Sequence, residues 1–516
     1  MKSETGNRKR YNRTIVSFFV LFMAFTLLLP GPTFAVEDET LDDIINGFDD
    51  KKPGASDDTM QDVLEGFGDD QQDIEKSKSS DDFLDGFDDD TKEPVPELPS
   101  ELEKDEIKPS VFSLNGDIEL GASYNYAHDN PEGNETDWRG LSRLRTELYL
   151  ELNAKFSSSW QARISGKGAY DFSYLIKGRD EFTDDVLDNY EKELDLGETY
   201  IQGSLTKNLD VKIGRQIVVW GKSDSIRVTD VLNPLDIREP GLTDIEDLRL
   251  PVAMSRLDYY IGDWSLTGIA IHEIRFNKIP EYGSDFYRAP QPPPHEDKPD
   301  QFGKIAEYAV AINGIFSGWD IAFYWADYYN DIPHTKLVSA GPPPKIEWKH
   351  ARLKMFGAAF NVAVGNWLLK TEAAYIDGFK FFNLPGKEYS RIDVLAGIEY
   401  SGFNDTTVSM DAVNRHINDF DKIKDFPPAD AQEDECQWVF RLTRTFLNDT
   451  LTLTFLASTY GKTGQDGSSQ RFSTEYDVTD SIEIAGGVVL YKAGDHETFR
   501  NIGENDRLFF NFKYSF

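Results

Sequence analysis

The sequence contains very little cysteine and histidine. Cys436 is the single cysteine among 516 residues, and there are only seven histidines. One cysteine excludes a disulfide framework within the chain and any cluster of cysteine ligands. No Cys/His spacing typical of a zinc site is present either, and the sequence predicts neither a metal nor a cofactor.

Basic residues are also few relative to acidic ones. Lys and Arg number 54 against 91 Asp and Glu, which gives a net charge of −37. Nucleic-acid binding depends on neutralising phosphates with Lys and Arg, so this balance argues against nucleic acid as a partner. The mean hydropathy of −0.49 argues against a bundle of membrane helices. It does not argue against a membrane β-barrel, whose alternating strands conceal their apolar face in an average.

The first 35 residues have the pattern of a secretory signal peptide. They carry five basic residues against one acid, and an apolar run from Ile15 to Leu29 precedes Thr33-Phe34-Ala35, a small-residue cleavage site. A membrane anchor is the alternative, although the apolar run is shorter than the roughly 20 residues that span a bilayer. No cysteine follows the run, which excludes a lipoprotein anchor.

Residues 36–110 are predicted to form a disordered acidic arm in the periplasm. They hold 27 Asp and Glu against 7 Lys and Arg, with few aliphatic residues. A short pattern, Asp followed by two apolar residues, a variable residue, Gly and Phe, occurs three times and ends at Phe48, Phe67 and Phe87. We interpret it as a repeated docking motif whose copies bind a partner through avidity. A solvated spacer and calcium binding are alternatives, but no copy has EF-hand spacing.

Residues 111–516 alternate between apolar and polar side chains with period two. In 143–154, for example, the leucines at 144, 148, 150 and 152 share one face. Eighteen segments of this kind occur, and their connections alternate between short turns and long polar loops. This predicts an all-β fold: a transmembrane antiparallel β-barrel of about 18 strands, with 16 as the alternative, short periplasmic turns and long external loops.

Four tryptophans support this interpretation. Trp160, Trp264, Trp319 and Trp367 each follow a short turn, where an aromatic girdle at the periplasmic interface is expected. A soluble all-β protein is the alternative, but it gives no reason for the recurrence.

Two stretches resemble known outer-membrane proteins. The C-terminal strand ends in Phe516 and resembles the sorting signature that the barrel-assembly machinery recognises in Gram-negative bacteria. The stretch Gly214-Arg215-Gln216 through Trp220-Gly221, followed by Leu232-Asn233-Pro234, resembles a family of uncharacterised outer-membrane barrels. That family is often associated with RND-type exporters of hydrophobic compounds, so the resemblance implies an exporter or another periplasmic protein as partner, besides outer-membrane lipid.

The side of the strands opposite the apolar face carries charges that are predicted to line a pore. An 18-stranded barrel is wide enough for an aqueous channel. The alternative for each residue is an ion pair that only stabilises the wall. The predicted pore-lining residues are Arg143, Arg145, Glu147, Glu151, Arg163, Lys167, Asp171, Lys370, Glu372, Arg441, Glu483 and Arg507. Arg215 has the lipid-facing parity, and a bulge at Gly214 would turn it inward.

The longest external loop, Gly221 to Leu250, is predicted to narrow the pore. Resemblance to general porins implies that the third external loop folds inward, and its many aliphatic residues favour burial over exposure to water. An external lid is the alternative. Its candidate constriction residues are Asp224, Arg227, Asp230, Asp236 and Arg238, and its net charge predicts a preference for cations.

These patterns favour an outer-membrane channel or export-associated barrel that passes a solute or a lipid-like substrate. A structural anchor whose arm recruits periplasmic proteins is one alternative, and an outer-membrane hydrolase is another. No residues form a recognisable catalytic motif, so the sequence predicts a protein without enzymatic activity.

Overall fold

The computed structural model describes residues 111–131, 135–243, 247–287, 289, 291–299, 302–341, 343–381, 386–422 and 431–516. The predicted signal peptide, the acidic arm and the three phenylalanines of its repeat lie outside the described residues.

Long strands dominate this part of the chain. In chain order they are β1 Phe112–Asn125, β2 Gly140–Lys155, β3 Trp160–Asp171, β4 Lys192–Thr206, β5 Leu209–Gln216, β6 Val252–Ile261, β7 Trp264–Glu273, β9 Phe302–Phe316, β10 Trp319–Tyr329, β13 Arg352–Val364, β14 Trp367–Phe379, β15 Tyr389–Phe403, β16 Thr406–Ile417, β17 Asp434–Phe446, β18 Leu451–Tyr460, β19 Gly467–Thr479, β20 Ile482–Lys492 and β21 Arg507–Ser515. Three short strands, β8 Glu296–Asp297, β11 His334–Ser339 and β12 Lys345–Lys349, form a separate small sheet.

The 18 long strands form one closed antiparallel barrel. Each pairs with its neighbours in chain order, and β1 pairs with both β2 and β21, which joins the two ends of the sheet. The predicted fold class and strand number are therefore confirmed. Closure leaves the barrel without an exposed edge strand at the joining point.

Two strands end earlier than the alternation predicts, and each for a local reason. β3 stops at Asp171 because the Asp171 carboxylate accepts hydrogen bonds from the N–H and hydroxyl of Ser173, which starts a short helix. β5 stops at Gln216 because the chain then turns into the barrel, where the Val218 N–H donates to the Asn233 side chain at 2.8 Å.

Within the part of the chain that the structure describes, helical structure is confined to short pieces in the loops. They are α1 Ser173–Lys177, α2 Asp184–Val186, a π-helical turn Leu187–Glu191 and 3₁₀ turns at Arg179–Glu181, Phe420–Lys422 and Glu497–Phe499. Within the described residues, no helix has the length and apolar character needed to cross a bilayer.

The outer face of the barrel is apolar. Exposed leucines, isoleucines and aromatic residues cover it on most strands, for example Leu148, Leu150, Ile312 and Phe510. Each of the four tryptophans named above is the first residue of its strand, β3, β7, β10 or β14. A closed barrel with an apolar belt and an aromatic rim satisfies its backbone internally and presents hydrocarbon to the outside, as a membrane-spanning wall requires.

One half of the inner face is also apolar, and this is where the main core lies. The inward side chains of β6 to β17 in this core include many alanines, which leave room for a further layer of structure. That layer is the chain between β5 and β6, residues 217–251, here called the inward loop. Its Val218, Trp220, Ile226, Val228 and Leu232 are all nearly inaccessible to solvent and belong to the same core.

Candidate functional site

The inward loop is fixed to the barrel wall by an aromatic contact. The ring of Trp220 stacks on that of Tyr324 of β10, with 4.7 Å between ring centroids. The Gly221 N–H donates to the Tyr324 hydroxyl at 3.3 Å. The loop therefore folds into the barrel, and the alternative of an external lid packed on itself does not describe it.

The Glu372 carboxylate of β14 is the main polar attachment of the loop. It is 2% exposed and accepts hydrogen bonds from the backbone N–H groups of Lys222, Ser223 and Thr229, at 2.6, 2.9 and 3.2 Å. The Thr229 hydroxyl donates to it as well, at 2.8 Å. A buried carboxylate surrounded by donors is satisfied without a cationic partner. Glu372 thus holds the loop against the wall.

Further polar contacts connect the same part of the loop to the wall. The Lys370 ammonium lies 2.7 Å from Asp224, and the Ser223 hydroxyl donates to Asp411 at 2.7 Å. Lys222 forms an ion pair with Asp320. Asp224, one of the predicted constriction residues, is therefore next to Lys370, one of the predicted pore-lining residues.

A second group of contacts closes the loop on itself. The Asp230 carboxylate is paired with Arg249 at 3.0 Å and with Arg227 at 3.2 Å. The Asn233 amide donates to the backbone carbonyls of Gln216 and Leu250, at 3.2 and 2.9 Å. Asn233 thus joins the start and the end of the loop, which explains why the chain needs an amide at this position.

Asp236 and Arg238 lie at the side of the loop that faces β4. Arg238 pairs with Asp236 at 2.5 Å and with Glu193 of β4 at 3.0 Å. Burial disfavours the charged guanidinium, but the hydrogen bonds that Arg238 donates to Asp236 and the attraction of the Asp236 and Glu193 carboxylates raise the pKa of Arg238 above its ordinary value. The guanidinium therefore carries its charge at every physiological pH.

The inner face of β2 to β4 carries a ladder of ion pairs, and the loop leaves the part around Arg163 and Lys167 uncovered. Arg163 of β3 is flanked by Glu151 at 3.4 Å and Glu198 at 3.7 Å. Lys167 lies 3.9 Å from Glu147. The side chains of Arg163 and Lys167 are 34% and 37% exposed, although both have the inward parity. This sector of the lumen is therefore hydrated.

The ladder continues to both sides. Arg145 bridges Glu147 at 2.9 Å and Glu193 at 2.7 Å, and the Lys212 ammonium lies 3.7 Å from the centre of the Tyr200 ring. Seven of the twelve predicted pore-lining residues lie on β2 and β3. The structure brings five of them together in this ladder, namely Arg145, Glu147, Glu151, Arg163 and Lys167.

The other predicted pore-lining residues have varied surroundings. Arg143 pairs with Glu239 of the inward loop at 3.2 Å, and Asp171 ends β3 as described above. Glu483 has the inward parity on β20 and is paired in register with Asp477 of β19. Arg507 is only 1% exposed, because Asp285 and Phe286 of the loop after β7 cover it. Arg507 thus anchors that loop.

A polar cavity of about 240 Å³ lies between the inward loop and β15 to β17. Arg441, another predicted pore-lining residue, lies in its wall together with Glu399 and Asp411, and Asp224 and Asp247 contribute from the loop. Its lining includes Thr407 and Thr443, which are paired in register near the short turn at Asn404-Asp405. The cavity therefore extends toward the end of the barrel that carries the short turns.

The expected bulge at Gly214 is absent, and the position of Arg215 has another cause. β4 and β5 pair in unbroken register from Gly203↔Val211 to Thr199↔Arg215. Arg215 keeps its outward parity but lies near the end of a short strand, where its guanidinium pairs with Glu273 at 2.6 Å and donates to the Leu196 carbonyl at 2.7 Å. The bulge prediction was wrong. Arg215 reaches polar partners near the early end of β5, so its charge is paired without a change of register.

A serine and a histidine meet on the outside of the barrel. Ser255 Oγ of β6 lies 2.9 Å from His272 Nε2 of β7, on the side that also presents Leu257 and Tyr259. They are separated by 17 residues, and hairpin register alone brings them together. Within the described residues, no group of three or more His, Cys, Asp and Glu is arranged to hold a metal ion.

Comparison with known families identifies the chain at the family level. Residues 21–516 match the model described as a protein of unknown function, DUF1302. The chain belongs to the DUF1302 family. No functionally curated protein shows significant sequence similarity to this DUF1302 member.

Several solved structures are similar to this chain. OccAB2 of Acinetobacter baumannii has 10% identity and a TM-score of 0.49, covering 78% of this chain and 98% of its own. OccK9 (OpdG) of Pseudomonas aeruginosa has 10% identity and a TM-score of 0.47 over the same shares. A BenF-like porin from Pseudomonas fluorescens Pf-5 has 12% identity and a TM-score of 0.46, again with 78% and 98% coverage.

Proposed function

We propose that this DUF1302 member is a channel in the outer membrane of a Gram-negative bacterium. The observation that carries the proposal is the division of the lumen: the inward loop covers the apolar sector of β6 to β17 and leaves the charged ladder of β2 to β4 in contact with water. Partly exposed charges on the inner face of a membrane barrel need a hydrated path beside them.

The charges favour small polar or ionic solutes as cargo. Acidic and basic groups alternate along the ladder, so a passing ion meets neighbouring groups of both signs. The cavity adds carboxylates from Asp224, Asp247, Glu399 and Asp411. Two cations face them, the Arg441 guanidinium in the cavity wall and the Lys370 ammonium beside Asp224 and Glu399, and the remaining excess of acids favours cations. The inward loop supplies two of those carboxylates, which makes it the element that sets the selectivity.

Single-channel recording in planar bilayers tests the proposal. We expect discrete conductance steps with a modest cation preference in a salt gradient. The competing function is a structural anchor whose acidic arm recruits periplasmic proteins, and its mark is a folded barrel that conducts no ions. The proposed envelope partner, an RND-type exporter or another periplasmic protein, is tested separately by crosslinking through the arm.

A further inference from the structure

The barrel wall has a gap in its hydrogen-bond ladder between β4 and β5. β4 spans Lys192–Thr206, but its pairing with β5 ends at Thr199↔Arg215. Beyond that point, toward the long loops, residues 192–198 pair with no described strand other than β3. At about 3.3 Å per residue this unpaired edge is roughly 20 Å long. Neighbouring strands differ in length elsewhere in the described barrel as well: β2 extends past its pairing with β3 over residues 140–144, and β9 has no partner on β7 over residues 303–306.

Side chains close this gap. Lys278, from the loop after β7, contacts Glu193 at 2.6 Å and Asp195 at 3.1 Å, both on the open edge of β4. Arg275 contacts Asp195 at 2.9 Å, and Arg238 of the inward loop contacts Glu193 at 3.0 Å. We call these five residues the seam: Glu193, Asp195, Arg238, Arg275 and Lys278.

The seam lies within the apolar belt. Between its two acids, Leu194 points outward and is 92% exposed, and Leu196 is 50% exposed. They pair with Gly168 and Gly166 of β3, which starts at Trp160. With a strand tilt of about 40°, the two leucines lie roughly 20 and 15 Å above that tryptophan rim, within a belt about 25 Å tall. The seam therefore faces the leaflet on the side of the long loops.

The inner side of the seam meets the charged ladder. Arg145, which pairs with Glu147 in the lumen, also pairs with Glu193 at 2.7 Å. A molecule moving along the ladder thus reaches the seam without crossing the apolar core. Opening the seam exchanges ion-pair partners, whereas opening the wall between two paired strands breaks backbone hydrogen bonds.

We propose that the seam is a lateral portal, through which a single-chain amphiphile with an anionic head moves between the lumen and the outer leaflet. The proposal rests on the proposed channel function, because the lumen supplies the route to the portal.

The chemistry of the seam selects this class of substrate. An anionic head can replace the carboxylates of Glu193 and Asp195 as the partner of Arg275 and Lys278, so the cations stay paired while the edge opens. The tail meets Leu194 and Leu196 and continues into hydrocarbon. A fully polar solute gains no free energy from entering the lipid. A fully apolar solute has no charged group that could pair with Arg275 and Lys278.

A reversible cross-link across the seam tests the portal. In a Cys436→Ser background, Glu193→Cys with Lys278→Cys is bridged by a short flexible bis-methanethiosulfonate. The matched control is Arg415→Cys with Glu435→Cys, an ion pair at 2.8 Å between register partners of β16 and β17, where the wall is fully laddered. Reduction removes either bridge, so each protein serves as its own folded reference.

The probe is a fluorescent dodecyl sulfonate, which stays charged and crosses plain bilayers slowly. Proteoliposomes carry it in the inner leaflet, and albumin added outside extracts what reaches the outer leaflet. We expect the seam cross-link to reduce extraction to the rate of protein-free vesicles, reduction to restore it, and the control bridge to have no effect. A trimethylammonium probe of equal chain length should be extracted more slowly than the sulfonate.

Ionic conductance separates the two proposals. If the seam cross-link leaves both sulfonate extraction and conductance at the parent level, the portal is wrong and the channel stands. If the parent protein neither conducts ions nor speeds extraction, the channel proposal is wrong, and the portal proposal, which depends on it, is wrong as well. Loss of extraction with full conductance supports both.

Discussion

Thr229 of the inward loop donates two hydrogen bonds to Glu372 of β14, from its backbone N–H at 3.2 Å and from its hydroxyl at 2.8 Å. The methyl group of the same threonine packs over Gly357 of β13, where an added Cβ would lie 2.8 Å from it. A single loop residue thus fits a carboxylate and a glycine on neighbouring strands, which fixes the height and rotation of the loop in the barrel.

Replacing Glu372 by Gln should loosen the inward loop. The amide keeps the shape but offers one acceptor in place of two and turns an NH₂ group toward N–H donors. Leaving buried donors unsatisfied costs about 3 kcal/mol. We expect lower stability toward urea, larger mean conductance and more current noise in planar bilayers. Glu399→Gln is the control for stability, because Glu399 contacts Lys370 at 3.4 Å; an equal loss of stability in the two variants would contradict the anchoring role.

Deleting residues 224–247 should raise conductance and weaken cation preference, because it removes the obstruction and several carboxylates. The deletion also uncovers apolar wall, so a milder variant is needed. Asp224→Asn with Asp247→Asn should lower the cation preference with little change in conductance, since both residues line the cavity. Asp263→Asn, in an exposed short turn, is the matched control. If the deletion changes neither property, the constriction must be sought among the wall charges.

Removing Phe516 should impair barrel assembly. Phe516 and Gly116 exchange backbone hydrogen bonds at 2.9 and 3.0 Å where β21 meets β1, and the Phe516 ring lies 2.7 Å from where a Cβ on Gly116 would be. Gly116→Val should therefore hinder closure in the same way. The measurement is the fraction of outer-membrane protein that shows heat-modifiable migration in SDS gels. Gly268→Val in β7 has open space around the new side chain and should assemble normally.

Replacing Phe48, Phe67 and Phe87 together by Ala should abolish recruitment of a periplasmic partner. Each copy of the motif buries little area, so three linked weak contacts provide the affinity. Single replacements should weaken recovery of the partner in steps, while the barrel still assembles. Crosslinking that recovers the same proteins from the triple variant as from the parent would show that the arm is only a spacer.

The sequence predicts the wall well because the wall obeys a local rule. Period-two alternation follows from the pleat, and it predicts all 18 strands, although β3 and β5 end earlier than it indicates. The excess of aliphatic residues between Gly221 and Leu250 likewise predicts burial, since apolar side chains must be covered wherever the chain goes. Both predictions depend only on residues that are close together in the sequence.

Contacts between distant segments are beyond such rules. Arg507 meets Asp285 across 222 residues, and nothing in the alternation of β21 indicates that a loop will cover it. Arg215 meets Glu273 because β5 stops at Gln216, whereas the pattern predicts a strand that continues to Trp220. Sequence patterns do not indicate the seam for the same reason, because the seam depends on where two strands end relative to each other.

The pairing of β1 with β21 has a consequence for the order of folding. Asp117 lies opposite Ser515, so the closing contact joins residues almost 400 positions apart. Contacts of such separation form late, because the entropy of a long open chain opposes them. The inward loop has its ends near the middle of the chain and its core partners on β6 to β17. It can therefore settle on a half-built, curved sheet, and the last strand then seals an interior that is already packed.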